Sequence, residues 1–148
     1  GTRSYEEGAM ALGDSGLLAT TDIAIAAADG QIEALQRRLE KAWLENQNPI
    51  MVLRGCQSYF RQLLIVARTA AGGVPMAQAI KTLRPPVHFR LQDRMVCQLG
   101  DWSAEGLFDA INRLQDAELA IKSARSDHMT QAGQALLGIC LRRKIARR

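Results

Sequence analysis

Aromatic residues, cysteine pairs and long uncharged runs are what this sequence has least of. Aromatics make up 5% of the 148 residues, two Trp, two Tyr and three Phe. That is too few for the stacking platform of a single-strand nucleic-acid binder. Trp43, Phe60, Phe89, Trp102 and Phe108 fall on apolar stripes or at a loop edge, which predicts core packing for them. The three cysteines, Cys56, Cys97 and Cys140, are odd in number, far apart and never in a CxxC pair. This argues against a disulfide framework or a structural zinc site and favours a reducing, cytoplasmic setting. Each sits in an apolar helical context and is expected to be a buried free thiol. No run approaches the ~18 uncharged apolar residues of a membrane span. The start, Gly1-Thr2-Arg3-Ser4, has no initiator Met and no signal-peptide core, so a leader or a cut from a longer chain is expected.

Catalytic signatures are missing as well. There is no GxxxxGK[ST] or GxGxxG phosphate loop, no HExxH and no GxSxG turn. Gly72-Gly73 joins two helical patterns and reads as a helix stop rather than a phosphate loop. His88 and His128 are far apart, with no carboxylate cluster at ligand spacing. Asp127-His128 fits a helix cap beside a solvated ring better than half of a catalytic pair. The expectation is a chain that is not an enzyme, has no cofactor and acts on no small-molecule substrate.

What the sequence does have is helical periodicity and unevenly placed charge. The net charge is +4, composed of −4 over residues 1–30 and +8 over residues 31–148. A basic body favours a polyanion or an acidic protein surface as partner. Ile32, Leu35, Leu39, Ala42 and Trp43 recur at three- and four-residue spacing, with Arg37, Arg38 and Lys41 opposite as a solvated face. Before them, Thr20 or Thr21 is placed to cap a short helix through Ile23, Ile25 and Ala28 that stops at Asp29-Gly30. Asn48-Pro49 is a helix start. The helix after it is apolar over most of its circumference, as expected of a central element.

Val74-Pro75 opens a short helix through Ile80, and Pro85-Pro86 interrupts. A helix over 87–99 is expected to turn Phe89, Leu91, Met95 and Val96 inward, with Gly100 at its stop. Ser103 caps the next helix, where Asp109 with Arg113 and Glu118 with Lys122 are acid-before-base pairs four apart. Ser126 or Asp127 caps a last helix with Met129, Ala132, Leu136, Ile139 and Cys140 inward. Nothing alternates with the two-residue period of a strand. The prediction is an all-α, compact bundle of about six or seven helices.

Arg54, Arg61 and Arg68 recur every seven residues along the long apolar helix. A seam of arginine on an otherwise buried element suits a subunit or inter-helix contact. The last seven residues hold Arg142, Arg143, Lys144, Arg147 and Arg148. That run fits the negative end of a helix dipole, a frayed tail or a nucleic-acid contact.

The segment RPPVHFRLQDRMVCQLGDWSAEGLFDAINRLQDAELAIKS, at residues 84–123, resembles the C-terminal domain of the bacterial DNA polymerase III delta subunit. The likeness extends upstream through LQRRLEKAWLENQNP and IMVLRGCQSYFRQLL, and downstream to Leu136–Arg142. It covers roughly residues 18–145, and the order and spacing of several moderate motifs carry it.

The resemblance implies a clamp-loader collar, a helical oligomerization domain over 18–148, with 1–17 the tail of a preceding lid module or an added leader. It implies no ATP hydrolysis. The partners would be the collars of tau/gamma and delta-prime, with the sliding clamp and primer-template DNA met only through the intact complex. Candidate interface residues, chosen from helix faces rather than from a family motif, are Arg54, Arg61, Arg68, Arg113 and Lys122. The competing reading is a free-standing basic helical nucleic-acid-binding module, whose affinity would fall steeply with salt.

Overall fold

The computed structural model describes residues 20–123 and 127–146, with the helix backbone alone at 144–146. Among these residues the chain is entirely helical, seven helices in a compact bundle with no strand. The first, α1, is described over 20–29. It is followed by α2 (Ile32–Leu44), α3 (Pro49–Ala71), α4 (Met76–Lys81), α5 (Phe89–Asp101), α6 (Ala104–Ser123) and α7 (His128–Ala146).

Local chemistry accounts for most of the ends. At the end of α1 the Gln31 amide donates to the Ala26 carbonyl and Gly30 to Ala27, with Gly30 at φ 72°. This is the left-handed close that glycine adopts without a Cβ clash. Asn46 closes α2 by the same bonds at φ 60°. The Asn48 side chain accepts from the amides of Ile50 at 2.8 Å and Met51 at 3.4 Å, ahead of Pro49, a cap worth about 1 kcal/mol. Ser103 Oγ accepts from Gly106 N at 3.0 Å to start α6. Asp127 starts α7, accepting from Met129 N at 3.0 Å and from the Thr130 hydroxyl at 2.8 Å. The Thr130 hydroxyl first, and the Thr130 and Met129 amides after it, hold the Asp127 carboxyl below the usual range. Thr20 is already helical, so the start of α1 falls outside the described residues, as do Ser126 and Ala124.

The long helix α3 is central, touching α4, α5, α6 and α7. It buries Val52, Leu53, Cys56, Tyr59, Phe60, Leu63, Leu64 and Val66. Each fully buried large side chain contributes about 1.5–3 kcal/mol relative to exposure. Packed beside it is the alanine-rich α1, with Ile23, Ala24, Ala26, Ala27 and Ala28 all buried. Small side chains let the two backbones approach closely. A Cβ on Gly55 would meet Thr20 Cγ2 at 2.0 Å, so only glycine fits that crossing. The thiols of Cys56 and Cys140 point at the Thr20 and Ala26 carbonyls of α1. Burial pushes the Cys56 thiol far up.

Helix α5 is rotated from its expected setting. Phe89 is 69% exposed and Val96 is on the surface, while Gln98 is buried with Met95 and Leu99. A polar network fixes this rotation. Tyr59 donates its hydroxyl to Gln98 Oε1, Gln98 Nε2 donates to Asp29 Oδ1 at 2.9 Å, and Arg94 pairs with the other Asp29 oxygen. Burial first, and the Asp29 charge second, push the Tyr59 hydroxyl well up. Satisfying these buried groups outweighs burying one phenylalanine, because an unmade buried bond costs about 1–3 kcal/mol. The helix runs past Gly100 to Asp101, and extended Trp102 ends it.

Three further expectations are corrected. Cys97 is exposed, turned outward by the same rotation. Phe108 is 51% exposed because it lies about 100° round from buried Leu107. Met129, in the first turn of α7, is also exposed.

Candidate functional site

The candidate residues separate onto the two flanks of α6. Helix α3 lies against one flank. There Glu118 Oε2 accepts from Arg54 Nε and Nη2, each at 3.1 Å, and pairs with Lys122 at 3.0 Å. Glu118 Oε1 accepts from Gln57 Nε2 at 3.1 Å. Gln57 is buried, and its own Oε1 accepts from Arg61 Nη2 at 3.3 Å. The Arg54 guanidinium first, then the Lys122 ammonium and the Gln57 amide, hold the Glu118 carboxyl down. Its pKa falls from 4.5 to about 2, against the opposing effect of burial. Arg68 lies two turns further along the same α3 face as Arg61 and is exposed. Met51 and Ile65 are exposed on that side of α3. Thus Arg54, Arg61, Arg68 and Lys122 share one surface, and Arg113 does not.

Arg113 is on the other flank, towards α7. It lines a cavity of about 580 Å³ with Asp101, Trp102, Ser103, Arg142 and Arg143, floored by Ala110 and Ile139. Gly106, Ala110 and Arg113 form one stripe of α6, and Ile139, Arg142 and Arg143 the facing stripe of α7. The expected Asp109–Arg113 pair is not made: Asp109 instead binds Arg142 across the helices at 3.1 Å. Among the described residues no bond or ion pair is made by the Arg113 side chain.

Within the C-terminal basic run, Arg142 is exposed and Arg143 is buried in the bundle rather than frayed. The Arg143 side chain is 4% exposed, pairs with Asp101 through Nη2, and keeps a buried Nε without a partner among the described residues. The side chain of Lys144, and Arg147 and Arg148, lie outside the described residues.

The Trp102 indole forms the pocket wall nearest α6. It packs edge-on against Phe60 with centroids 5.6 Å apart, and its Nε1 donates to the Ala28 carbonyl at 2.9 Å. A Cβ at Gly106 would press on its ring carbons at 3.2 Å. Helical spacing alone does not reveal this pocket, since its walls meet only through the pairing of α6 with α7. The readable signal was the pair Arg142-Arg143 two positions after apolar Cys140.

Of the two histidines, neither lines the cavity. His88 Nδ1 accepts from Arg90 N at 3.2 Å as the cap of α5, and His128 is exposed at the start of α7. Among the described residues no group of three His, Cys, Asp or Glu is placed to hold a metal ion. No described helix is long and apolar enough to cross a membrane. Comparison with protein-family models, curated proteins and solved structures finds no match to this chain.

Proposed function

We propose that the chain is a non-catalytic subunit-assembly domain, the collar of a bacterial DNA polymerase III delta subunit. It would work in the cytoplasm within the clamp loader that places the sliding clamp on DNA. The observation that supports this reading is the open row on α3. That helix buries its other faces in the bundle, yet leaves Arg54, Arg61 and Arg68 exposed with Met51 and Ile65. Arginine with methionine and aliphatic side chains is the composition of a protein interface rather than of bulk surface. Glu118 already holds Arg54 and Lys122, so Arg61 and Arg68 are left for acidic groups on a neighbouring collar.

In this assignment the chain performs no bond-breaking step. It contributes a rigid helical face, and tau/gamma and delta-prime are its partners. The sliding clamp and primer-template DNA are reached only through the complete loader.

The test is capture by the isolated tau/gamma and delta-prime collars. Binding at micromolar concentration is expected, and Arg61→Glu with Arg68→Glu is expected to weaken it about tenfold or more by like-charge repulsion. No capture by either collar at that concentration overturns the proposal. Fluorescence anisotropy with short duplex DNA separates the competing reading, which needs binding that falls steeply with salt.

A further inference from the structure

We infer that the cavity between α6 and α7 is a binding site for a small phosphate monoester carrying an apolar or aromatic body, of about mononucleotide size. The inference does not depend on the collar assignment. It begins with Arg143, a guanidinium removed from solvent whose Nε, among the described residues, has no acceptor although its Nη2 is held by Asp101. A buried donor without a partner is costly. The same side chain lines a cavity of about 580 Å³, within the range of small-molecule sites.

The rest of the wall supplies matching chemistry. Among the described residues the Arg113 guanidinium makes no ion pair, Asp109 being taken by Arg142. The Ser103 hydroxyl accepts from Gly106 N and retains its own hydrogen to donate. The first turn of α6 opens beside it, adding the positive end of a 20-residue helix. Together these donors suit three phosphate oxygens better than the two of a carboxylate. Trp102, Ala110 and Ile139 offer the apolar surface for the body of the ligand. Asp101 and Asp109 are each already engaged by an arginine, which leaves Glu105 in the first turn of α6 as the further acid at this end of the helix.

In the 148-residue chain carrying Trp43→Phe, Trp102 is the sole indole and reports on the pocket directly. Its emission is titrated with adenosine monophosphate, inorganic phosphate, adenosine and acetate at constant ionic strength. A saturable change with adenosine monophosphate is expected, a weaker one with inorganic phosphate, and none with adenosine or acetate over the same range. Arg113→Ala is expected to weaken adenosine monophosphate binding about tenfold, as loss of a charge-assisted bond implies. Arg143→Lys, which keeps the charge and removes Nε, is expected to weaken it with the helical circular dichroism unchanged. Absence of saturation up to about 10 mM adenosine monophosphate overturns the inference, being weaker than any millimolar site. An equal response to adenosine or acetate overturns it too, as does unchanged affinity in Arg113→Ala.

Discussion

Both flanks of α6 meet arginines, and they treat them in opposite ways. Towards α3, one carboxylate is shared by several donors: Glu118 takes Arg54, Lys122 and the buried Gln57, and Gln57 in turn takes Arg61. Towards α7, Arg113, Arg142 and Arg143 face Asp101 and Asp109, which among the described residues leaves one guanidinium unpaired and a second incompletely bonded. A carboxylate placed between two helices fixes their register by gathering donors from both. A surplus of arginine fixes nothing further and retains capacity for an external anion. The first arrangement belongs to the architecture, the second to recognition.

Removing the centre of the first arrangement should have the largest effect. Glu118→Ala strands the buried Gln57 amide and leaves Arg54 and Lys122 close together without their shared acid. A loss of about 2–3 kcal/mol is expected in urea unfolding at neutral pH.

The same carboxylate governs the acid response. Its pKa is lowered on folding from 4.5 to about 2. Its contribution is therefore complete above about pH 4.5 and is lost as the pH falls towards 2. Glu118→Gln should remove that part of the acid decline, so that variant and parent converge in stability as the pH falls. Parallel decline of the two proteins between pH 5 and 2 would remove Glu118 from its place at the centre of this flank.

The contrast between the flanks was only half legible in the residues themselves. Helix starts at Asn48-Pro49 and Ser103, the stop at Asp29-Gly30 and the buried stripe of α3 follow from local chemistry that one segment carries alone. The Glu118–Lys122 pair likewise needs only a helix. Asp109 shows the limit, since the i,i+4 partner Arg113 was available and the cross-helix partner Arg142 won. Such a choice depends on how α6 and α7 approach, which no single segment encodes. The rotation of α5 has the same origin. Gln98, Tyr59 and Asp29 come from three helices, and their mutual satisfaction displaced Phe89 and Cys97 to the surface. The burial of Arg143 was hidden for a third reason: a dense basic run resembles a solvated tail unless one knows that Asp101 waits at the end of α5.

On the α7 flank the expected losses are smaller. Arg143→Met keeps the length and apolar stem of the side chain while deleting its charge and the unpartnered Nε. Asp101 is exposed enough to be hydrated once released. The change should cost about 1 kcal/mol in the urea midpoint, less than half the effect at Glu118, because solvent replaces the lost ion pair. A loss as large as that of Glu118→Ala would mean that α7 is registered through Arg143 just as α3 is through Glu118.

The smallest effect is expected at Arg113, and it separates the two flanks most cleanly. Its side chain makes no bond within the described residues and lies on the exposed rim of the cavity, so truncation strands no buried partner. Alanine is also the stronger helix former, which offsets the lost packing of the arginine stem. Arg113→Ala should therefore unfold within about 0.5 kcal/mol of the parent, as surface substitutions away from structural contacts do. Relief of repulsion from Arg142 and Arg143 acts in the same stabilising direction, and should shrink as salt is raised. A loss above about 1 kcal/mol in chemical unfolding would instead give Arg113 a structural part in joining α6 to α7, and the distinction between a locked flank and an open one would disappear.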